Sequence, residues 1–377
     1  MAKKKILIIS FSKLDGDPRV YRQIINLSRK YEVTAAGLTN PNIEGVKFIQ
    51  ISIKPKGFIQ SSKRAICLKT GKYEEYYRQT FDFQDFLNYT RERAYDLIIA
   101  NDSDSLQLAF MISDGSNILH DAHEYSPGQQ EEDIVWRFFM YKYRDYLCRK
   151  YLKKCKKVTT VSEGISNLYF MRYGVKSEVI TNATEYIDIE PSAVIPGKIR
   201  MIHHGSAHKA RKIEKMIELM RFLDERFSLD LMLIPTDKKY YFNLIKMIKS
   251  VDNIRFINPV PMKSIVKTIN AYDVGIYFFE PVNLNYKYGL PNKIFEFIQA
   301  RLAVAIGPSL EMVKIVKKYD CGLVASDFQP KSMAKILQSL TDEKLIKFKI
   351  NSANAAKFFN AEANIVKMEK IIECIIN

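Results

Sequence analysis

The sequence lacks any apolar stretch approaching the roughly 18 residues that a membrane span requires, so a chain built from membrane-crossing helices is excluded. It is poor in cysteine. The five cysteines, Cys67, Cys148, Cys155, Cys321 and Cys374, are scattered, odd in number and form no CxxC pair. That argues against a disulfide frame and a structural zinc site and fits a reducing cytoplasm. The dinucleotide fingerprint GxGxxG is missing after the first apolar run, which disfavours bound NAD or FAD. No repeat of fixed period is present, which removes solenoids. The opening run Ile6 to Phe11 is short and leads into Asp15-Gly16-Asp17, not into a small-residue cleavage site. It reads as a first strand, not a signal peptide.

What is present is a globular composition. Hydrophobic residues make up 47% and charged residues 27% of 377, a length that suits two domains. The formal net charge is +16 and the pI is near 9.3. Such a balance draws polyanions: nucleic acid, anionic lipid or a diphosphate-bearing substrate.

Short β-rich runs alternate with longer helical stretches, the pattern of parallel sheets covered on both faces. In the first half the expected strands are Lys5–Phe11, Glu32–Leu38, Leu97–Asn101, Asn117–His120 and Lys157–Val161. The expected helices there are Arg19–Lys30, Tyr73–Arg93 and Ile134–Cys155. Thr181 to Lys198 holds Pro191, Pro196 and Gly197 without periodicity and reads as a linker. The alternation then restarts with strands Arg200–His203, Leu229–Ile234, Ile254–Phe256, Asp273–Phe278, Ala303–Ile306 and Gly322–Val324. Helices are expected at Lys212–Arg226, Tyr240–Ser250, Ser264–Tyr272 and Asn292–Gln299, with helical patterns Glu343–Phe359 and Ala361–Ile376 at the end. The expected architecture is α/β, with an N-terminal domain over 1–185, a C-terminal domain over 198–355 and a last helical segment over 356–377 that packs back toward the first domain. Two such halves place a cleft between the carboxyl ends of their strands, where ligands bind in open α/β sheets.

Five loops carry chemistry. After the first strand, Asp17 suits a helix cap and Pro18 its first turn, while Gly16 lets backbone approach a ligand. The loop reads either as a capped helix start or as a cleft lining. Asn101-Asp102-Ser103-Asp104 contains Asp-x-Asp, which can hold a divalent metal; Asp104 serves equally as a helix cap, and no metal is expected. His120-Asp121-Ala122-His123-Glu124 clusters imidazoles and carboxylates without a zinc spacing. One histidine there can orient a hydroxyl or relay a proton, or it can be structural. His203-His204-Gly205-Ser206, followed by Lys209, Arg211 and Lys212, gathers cations at an expected helix start. Helix N-termini already attract anions and disfavour cations, so this loop asks for a phosphate, and arginine offers a fork matched to its oxygens. Finally, Pro291-Asn292-Lys293-Ile294-Phe295-Glu296 opens a helix with a cation and a carboxylate one turn apart, the pair a nucleotide needs for phosphate and ribose.

Asp17-Pro18-Arg19-Val20, His120-Asp121-Ala122-His123-Glu124, Thr160-Val161-Ser162, His204-Gly205 to Arg211, and Leu290-Pro291-Asn292-Lys293-Ile294-Phe295-Glu296 occur in an order and spacing that resemble the group 1 glycosyltransferases, also called glycosyltransferase family 4. The resemblance covers nearly the whole chain. It implies a GT-B fold of two Rossmann-like domains facing across a cleft, and a retaining, hexosyltransferase-like, metal-independent activity with no cofactor. It implies that Arg211 and Lys293 grip the donor diphosphate, that Glu296 accepts from the ribose, and that Gly205 with Ser206 and Asn292 complete the donor site. It implies that His123 faces the transferred sugar, with Gly16, Asp17, Arg19, Asp102 and Glu124 on the acceptor side. One position departs: the family commonly has a second glutamate eight residues before the ribose-binding one, and here Tyr288 stands there. Glu280 lies further upstream.

Ile134 to Lys157 mixes Trp136, Phe138, Phe139, Tyr141, Tyr143 and Tyr146 with Lys142, Arg144, Arg149, Lys150, Lys153, Lys154, Lys156 and Lys157. Basic aromatic helices lie on anionic membranes; a core helix with a solvated basic side has the same composition. Aromatics among basics also stack nucleobases, but no nucleic-acid module is present and no nucleic-acid partner is expected. The expected activity is transfer of a sugar from a nucleotide sugar to a saccharide or lipid-linked acceptor in surface-glycan synthesis. The expected location is cytoplasmic, peripheral on the inner face of the cell membrane. The competing expectation is a non-catalytic nucleotide-sugar or glycan-binding module of the same fold.

Overall fold

The computed structural model describes residues 3–55, 57–249 and 251–376. The chain divides into two compact units. Unit 1 comprises residues up to Thr181, Asn283–Asn285, and the chain from Ile365 on; unit 2 comprises Asn182–Val282 and Tyr286–Asn364. The first boundary falls at the start of the expected linker, and residues 182–197 contain neither helix nor strand.

Unit 1 holds strands β1 (Lys5–Ile9), β2 (Glu32–Gly37), β3 (Lys47–Gln50), the short antiparallel pair β4 (Ser52–Ile53) and β5 (Phe81–Asp82), then β6 (Leu97–Asn101), β7 (Ile118–Ala122), β8 (Lys157–Thr160) and β9 (Glu178–Val179). The main sheet is parallel in the order β3-β2-β1-β6-β7-β8-β9. Its helices are α1 (Pro18–Ser28), α2 (Phe58–Lys69), α3 (Tyr73–Thr80), α4 (Gln84–Thr90), α5 (Asp102–Ala109), α6 (Ile134–Tyr151) and α7 (Glu163–Tyr173). Unbroken apolar strands such as Lys5-Ile6-Leu7-Ile8-Ile9, buried from Ile6 on, are what helices on both faces demand. Met368, Ile371 and Ile372 join Ile6, Ile8, Val20 and Ile24 in one core cluster, so the last helix is part of unit 1 over these residues.

Unit 2 repeats the plan with β10 (Ile199–Ser206), β11 (Phe227–Ile234), β12 (Ile254–Ile257), β13 (Val274–Tyr277), β14 (Ala303–Ile306) and β15 (Gly322–Val324), parallel in the order β12-β11-β10-β13-β14-β15. Its helices are α8 (Glu214–Met220), α9 (Lys238–Ile248), α10 (Ile265–Ile269), α11 (Leu284–Tyr288), α12 (Asn292–Gln299), α13 (Leu310–Tyr319), α14 (Pro330–Gln338) and α15 (Asp342–Ala356), followed by α16 (Ala361–Ile376). α11 starts on residues that cluster with unit 1, and α16 ends there. In each sheet the strand order reverses beside the first strand: at β1/β6 in unit 1 and at β10/β13 in unit 2. Such switch points open a crevice at the carboxyl ends of the strands.

Several expectations are corrected. Tyr73–Arg93 is not one helix: it breaks at Phe81, which is extended at φ −115° and ψ 145°. Its ring packs on Phe11 and Tyr77, so burying an aromatic cluster wins over continuing the helix. The helix expected from Lys212 begins only at Glu214, because Lys212 takes φ +45°. β7 and β10 run further than expected, to Ala122 and Ser206. The strands Lys47–Gln50 and Glu178–Val179 and the helix Phe58–Lys69 lie outside every expected element.

Candidate functional site

Two cationic side chains of unit 2 meet at the switch point, where β10 ends in His203-His204-Gly205-Ser206. Gly205 has φ +124°, a conformation that side chains oppose. A Cβ there would lie 2.6 Å from Lys293 Nζ, 2.8 Å from Lys293 Cε and 3.0 Å from Arg211 Nη1. Two cationic heads therefore rest against the same bare stretch of backbone. Arg211 arrives from a single 3-10 turn, Lys209–Arg211, and its Nη1 donates to the Ser206 carbonyl at 3.3 Å. Lys293 is the second residue of α12, whose N-terminus has no side-chain cap.

Two positive groups held this close repel, and more strongly where burial lowers the effective dielectric. Burial first, and then Arg211, pull the Lys293 ammonium down to about 8, while Glu296 opposes the shift. Glu296 lies on the same helix face, and its Oε2 is 3.3 Å from His204 Nε2 in a contact that does not meet hydrogen-bond geometry. Burial, Lys293 and Arg211 push His204 down to about 3. His203 is also held well below its ordinary value by burial and Lys293, with Nδ1 3.0 Å from the Ile276 carbonyl. Both imidazoles are thus neutral near pH 7. The cluster carries two cations against one carboxylate, and among the described residues neither Arg211 nor Lys293 has an ion-pair partner within 4 Å.

The other expected donor-side residues separate. Ser206 Oγ pairs with Thr236 Oγ1 at 2.5 Å, and Asn292 is exposed. Lys209 is exposed, and Lys212 pairs with Glu280 at 2.7 Å, so neither joins Arg211 and Lys293. Lys215 also reaches Glu280, at 3.4 Å. The three cations precede α8 instead of occupying its first turn, so the helix-start argument holds for Lys293 and fails for Arg211.

In unit 1 the ends of β1, β6 and β7 surround a cavity of about 160 Å³ lined by Ser10, Phe11, Ser12, Asp102, Asp104, Glu124, Ser126, Gln129 and Arg144. Arg144 bridges Asp104 at 2.7 Å and Ser103 at 2.7 Å. Glu124 accepts from Gln129 Nε2 at 2.6 Å. Burial, and then the charge of Asp102, raise its carboxyl to about 7. Asp102 holds φ +58°, uncommon for a residue with a side chain. His123 is clamped between Asp102 (Nδ1 to Oδ2, 3.3 Å) and Asn101 (Nε2 to Oδ1, 3.1 Å).

Asp17 and Arg19 turn out to be engaged inside the unit. Asp17 caps α1, accepting from the amides of Arg19 and Val20. Arg19 forks onto the fully buried Asp121 at 2.9 and 2.6 Å, and its third arm reaches the Ile180 carbonyl at 2.8 Å. Asp121 is held below the ordinary carboxylate range: Arg19, His123 and Thr159 outweigh the burial that would raise it. Asp121 thus answers the charge of Arg19, while Asp17 meets backbone amides at the start of α1. Gly16 is not crowded either, since a Cβ there would meet nothing nearer than 3.7 Å. Sequence reasoning missed Arg144, Ser10, Ser12 and Gln129. For Ser10 and Ser12 the available signal was their place directly after a central strand.

No family model and no curated protein matches the sequence. Solved structures do resemble it. Sucrose-phosphate synthase from Thermosynechococcus elongatus is similar at a TM-score of 0.73 and 15% identity, with 99% of each chain covered. Anabaena Alr3699/HepE in complex with UDP and glucose is similar at 0.67 and 14%, covering 98% of this chain and 100% of that one. WaaG, a glycosyltransferase involved in lipopolysaccharide biosynthesis, is similar at 0.64 and 14%, covering 98% and 99%. The chain therefore has the GT-B fold, with two Rossmann-like units.

Proposed function

We propose that the protein is a glycosyltransferase that takes a sugar from a nucleoside-diphosphate sugar and passes it, with retention, to a saccharide or lipid-linked acceptor. The observation that carries the reading is the meeting of Arg211 and Lys293 at Gly205, beside Glu296 and two neutral histidines. Two unmatched cations at a switch point suit a diphosphate. Backbone without a Cβ leaves room for its oxygens, and the uncapped start of α12 adds N–H donors. Glu296 takes the ribose hydroxyls.

As the glycosidic bond breaks, negative charge builds on the leaving diphosphate. Fixed cations aimed at that charge stabilise the transition state more than the ground state, so no metal is needed for this step. His123 is assigned to the transferred sugar, and Asp102 and Glu124 to acceptor hydroxyls, because three carboxylates and a single paired arginine make the unit 1 cavity rich in acceptors. The neighbour with bound UDP and glucose supports this donor class. A lipid-linked acceptor, a role in surface-glycan synthesis and a peripheral position at the inner membrane face belong to the same reading. No helix among the described residues is long and apolar enough to cross a membrane.

One observation favours a second reading, a nucleotide-sugar-binding module without turnover. Tyr288 stands where a carboxylate would meet the sugar, and Glu280, the nearest upstream substitute, is already held by Lys212 and Lys215. Assays of sugar release from UDP- and GDP-sugars on the wild type and on Lys293→Ala separate the two. Turnover that falls about 10- to 150-fold with the loss of Lys293 supports the enzyme, given roughly 1.5–3 kcal/mol for a charged hydrogen bond. Tight binding with no turnover by the wild type supports the module.

A further inference from the structure

Helix α2 faces the wrong way for a surface helix. At 100° per residue, Phe58, Ser62, Ile66 and Lys69 fall along one line, with Ile59 and Lys63 beside it. Phe58 is 90% exposed, Ile59 64% and Ile66 59%. The opposite face is the buried one and consists of Arg64, Cys67 and Leu68. The Arg64 guanidinium donates to the carbonyls of Lys54 and Gln79, which lets an arginine sit inside. An amphipathic surface helix normally turns its apolar stripe inward. Here the stripe points out, and Ile53, just upstream, is 49% exposed as well.

The same segment carries charge of one sign. Between Glu44 and Glu74 the sequence has Lys47, Lys54, Lys56, Lys63, Arg64, Lys69 and Lys72 and no Asp or Glu; Lys56 lies outside the described residues. Lys47 pairs with Glu32 and Lys54 donates to the Arg78 carbonyl. Lys63, Lys69 and Lys72 are exposed, with no ion-pair partner among the described residues. Exposed aromatic and aliphatic tips among unmatched lysines complement a surface that is anionic outside and apolar beneath. The segment nominated from composition, Ile134–Lys157, fits less well. Lys150 pairs with Glu74 and Arg149 with Asp145, Tyr143, Arg144 and Leu147 are buried, and the exposed Ile134, Val135 and Phe138 follow directly on Glu131, Glu132 and Asp133.

We propose that the outer face of α2 docks unit 1 on an anionic lipid bilayer, with Phe58 and Ile59 entering below the headgroups and Lys63, Lys69 and Lys72 resting among the phosphates. The proposal stands on exposure and charge and does not depend on the donor chemistry of unit 2. The test is co-sedimentation of the full chain with vesicles of phosphatidylcholine alone or mixed with phosphatidylglycerol. The wild type is expected to bind the mixed vesicles, to bind phosphatidylcholine weakly, and to release as salt rises. Phe58→Ser/Ile59→Ser and Lys63→Glu/Lys69→Glu are each expected to lower partitioning about tenfold or more, since one apolar side chain and one basic group at a membrane each matter on that scale. Unchanged melting points would show that these exposed substitutions leave the fold intact. A triple change at Lys150, Lys153 and Lys154 is expected to matter less. The proposal is overturned if the wild type does not bind mixed vesicles or if both α2 variants bind like wild type. It is equally overturned if sedimentation velocity finds a dimer that Phe58→Ser/Ile59→Ser dissolves, for then a second copy of the chain covers this face.

Discussion

Arg19 and Arg211 each follow the first strand of their sheet, β1 in unit 1 and β10 in unit 2. Arg19 ends in a fork on Asp121, inside a network that also includes His123 and Thr159. Arg211 ends beside another cation. The same topology thus has its charge satisfied in one unit and left open in the other. A satisfied buried charge holds a fold together; an unsatisfied pair at a sheet's carboxyl edge costs stability, and that cost is recovered when an anion arrives. The contrast supports the proposal that unit 2 binds the donor.

Substitution breaks the comparison most sharply at the arginines. Arg19→Ala leaves Asp121, fully buried, without its main partner, and is expected to lower stability by about 3–5 kcal/mol in urea unfolding. Arg211→Ala relieves a repulsion and is expected to leave the urea midpoint unchanged or to raise it while weakening nucleotide binding. Equal destabilisation by both would erase the distinction. Next in size is Gly205→Ala. It forces a side chain into φ +124° and against Lys293, and is expected to lower stability by about 1–3 kcal/mol and to weaken nucleoside-diphosphate binding in the same titrations.

The smallest effect belongs to Glu124. Its carboxyl is raised from 4.5 to about 7 in the folded chain, so the native state binds the proton more tightly than the unfolded state does. Its contribution is therefore present below about pH 4.5 and is lost as pH rises toward 7. Comparing wild type with Glu124→Gln, a standing mimic of the protonated carboxyl, by unfolding across this window should show near-equal stability below about pH 4.5 and a wild-type deficit that grows as pH rises toward 7. A difference independent of pH would place the proton elsewhere.

How far these features were legible depends on the range of the interaction. Both parallel sheets follow from local patterning, because strands buried on two faces must be continuously apolar. The pairing of Gly205 with Lys293 was legible in part, since a cation in an uncapped first turn contradicts the helix dipole and calls attention to itself. Arg19 and Asp121 lie 102 residues apart, and nothing local announces that they meet; the run Asp17-Pro18-Arg19 reads as a capped helix start or a cleft lining, and neither reading names the partner of Arg19. Helix α2 was illegible for another reason. Its apolar positions are periodic but face outward, and its buried side holds an arginine, so the usual rule for finding surface helices points the wrong way. The break at Phe81 depends on a ring packing against Phe11, 70 positions earlier in the chain.

The central claim, that the open charge of unit 2 seats a diphosphate, is tested most directly by titrating UDP or GDP calorimetrically near pH 8 in buffers of different ionisation enthalpy. Burial and Arg211 pull the Lys293 ammonium down to about 8 in the free protein, and binding a diphosphate should restore its ordinary value. The expected result is uptake of a fraction of one proton on binding, an affinity that is full below pH 8 and falls toward tenfold per unit above it, and loss of both effects in Lys293→Met. Nucleotide binding with no proton uptake, and with the same affinity in Lys293→Met, would contradict the account.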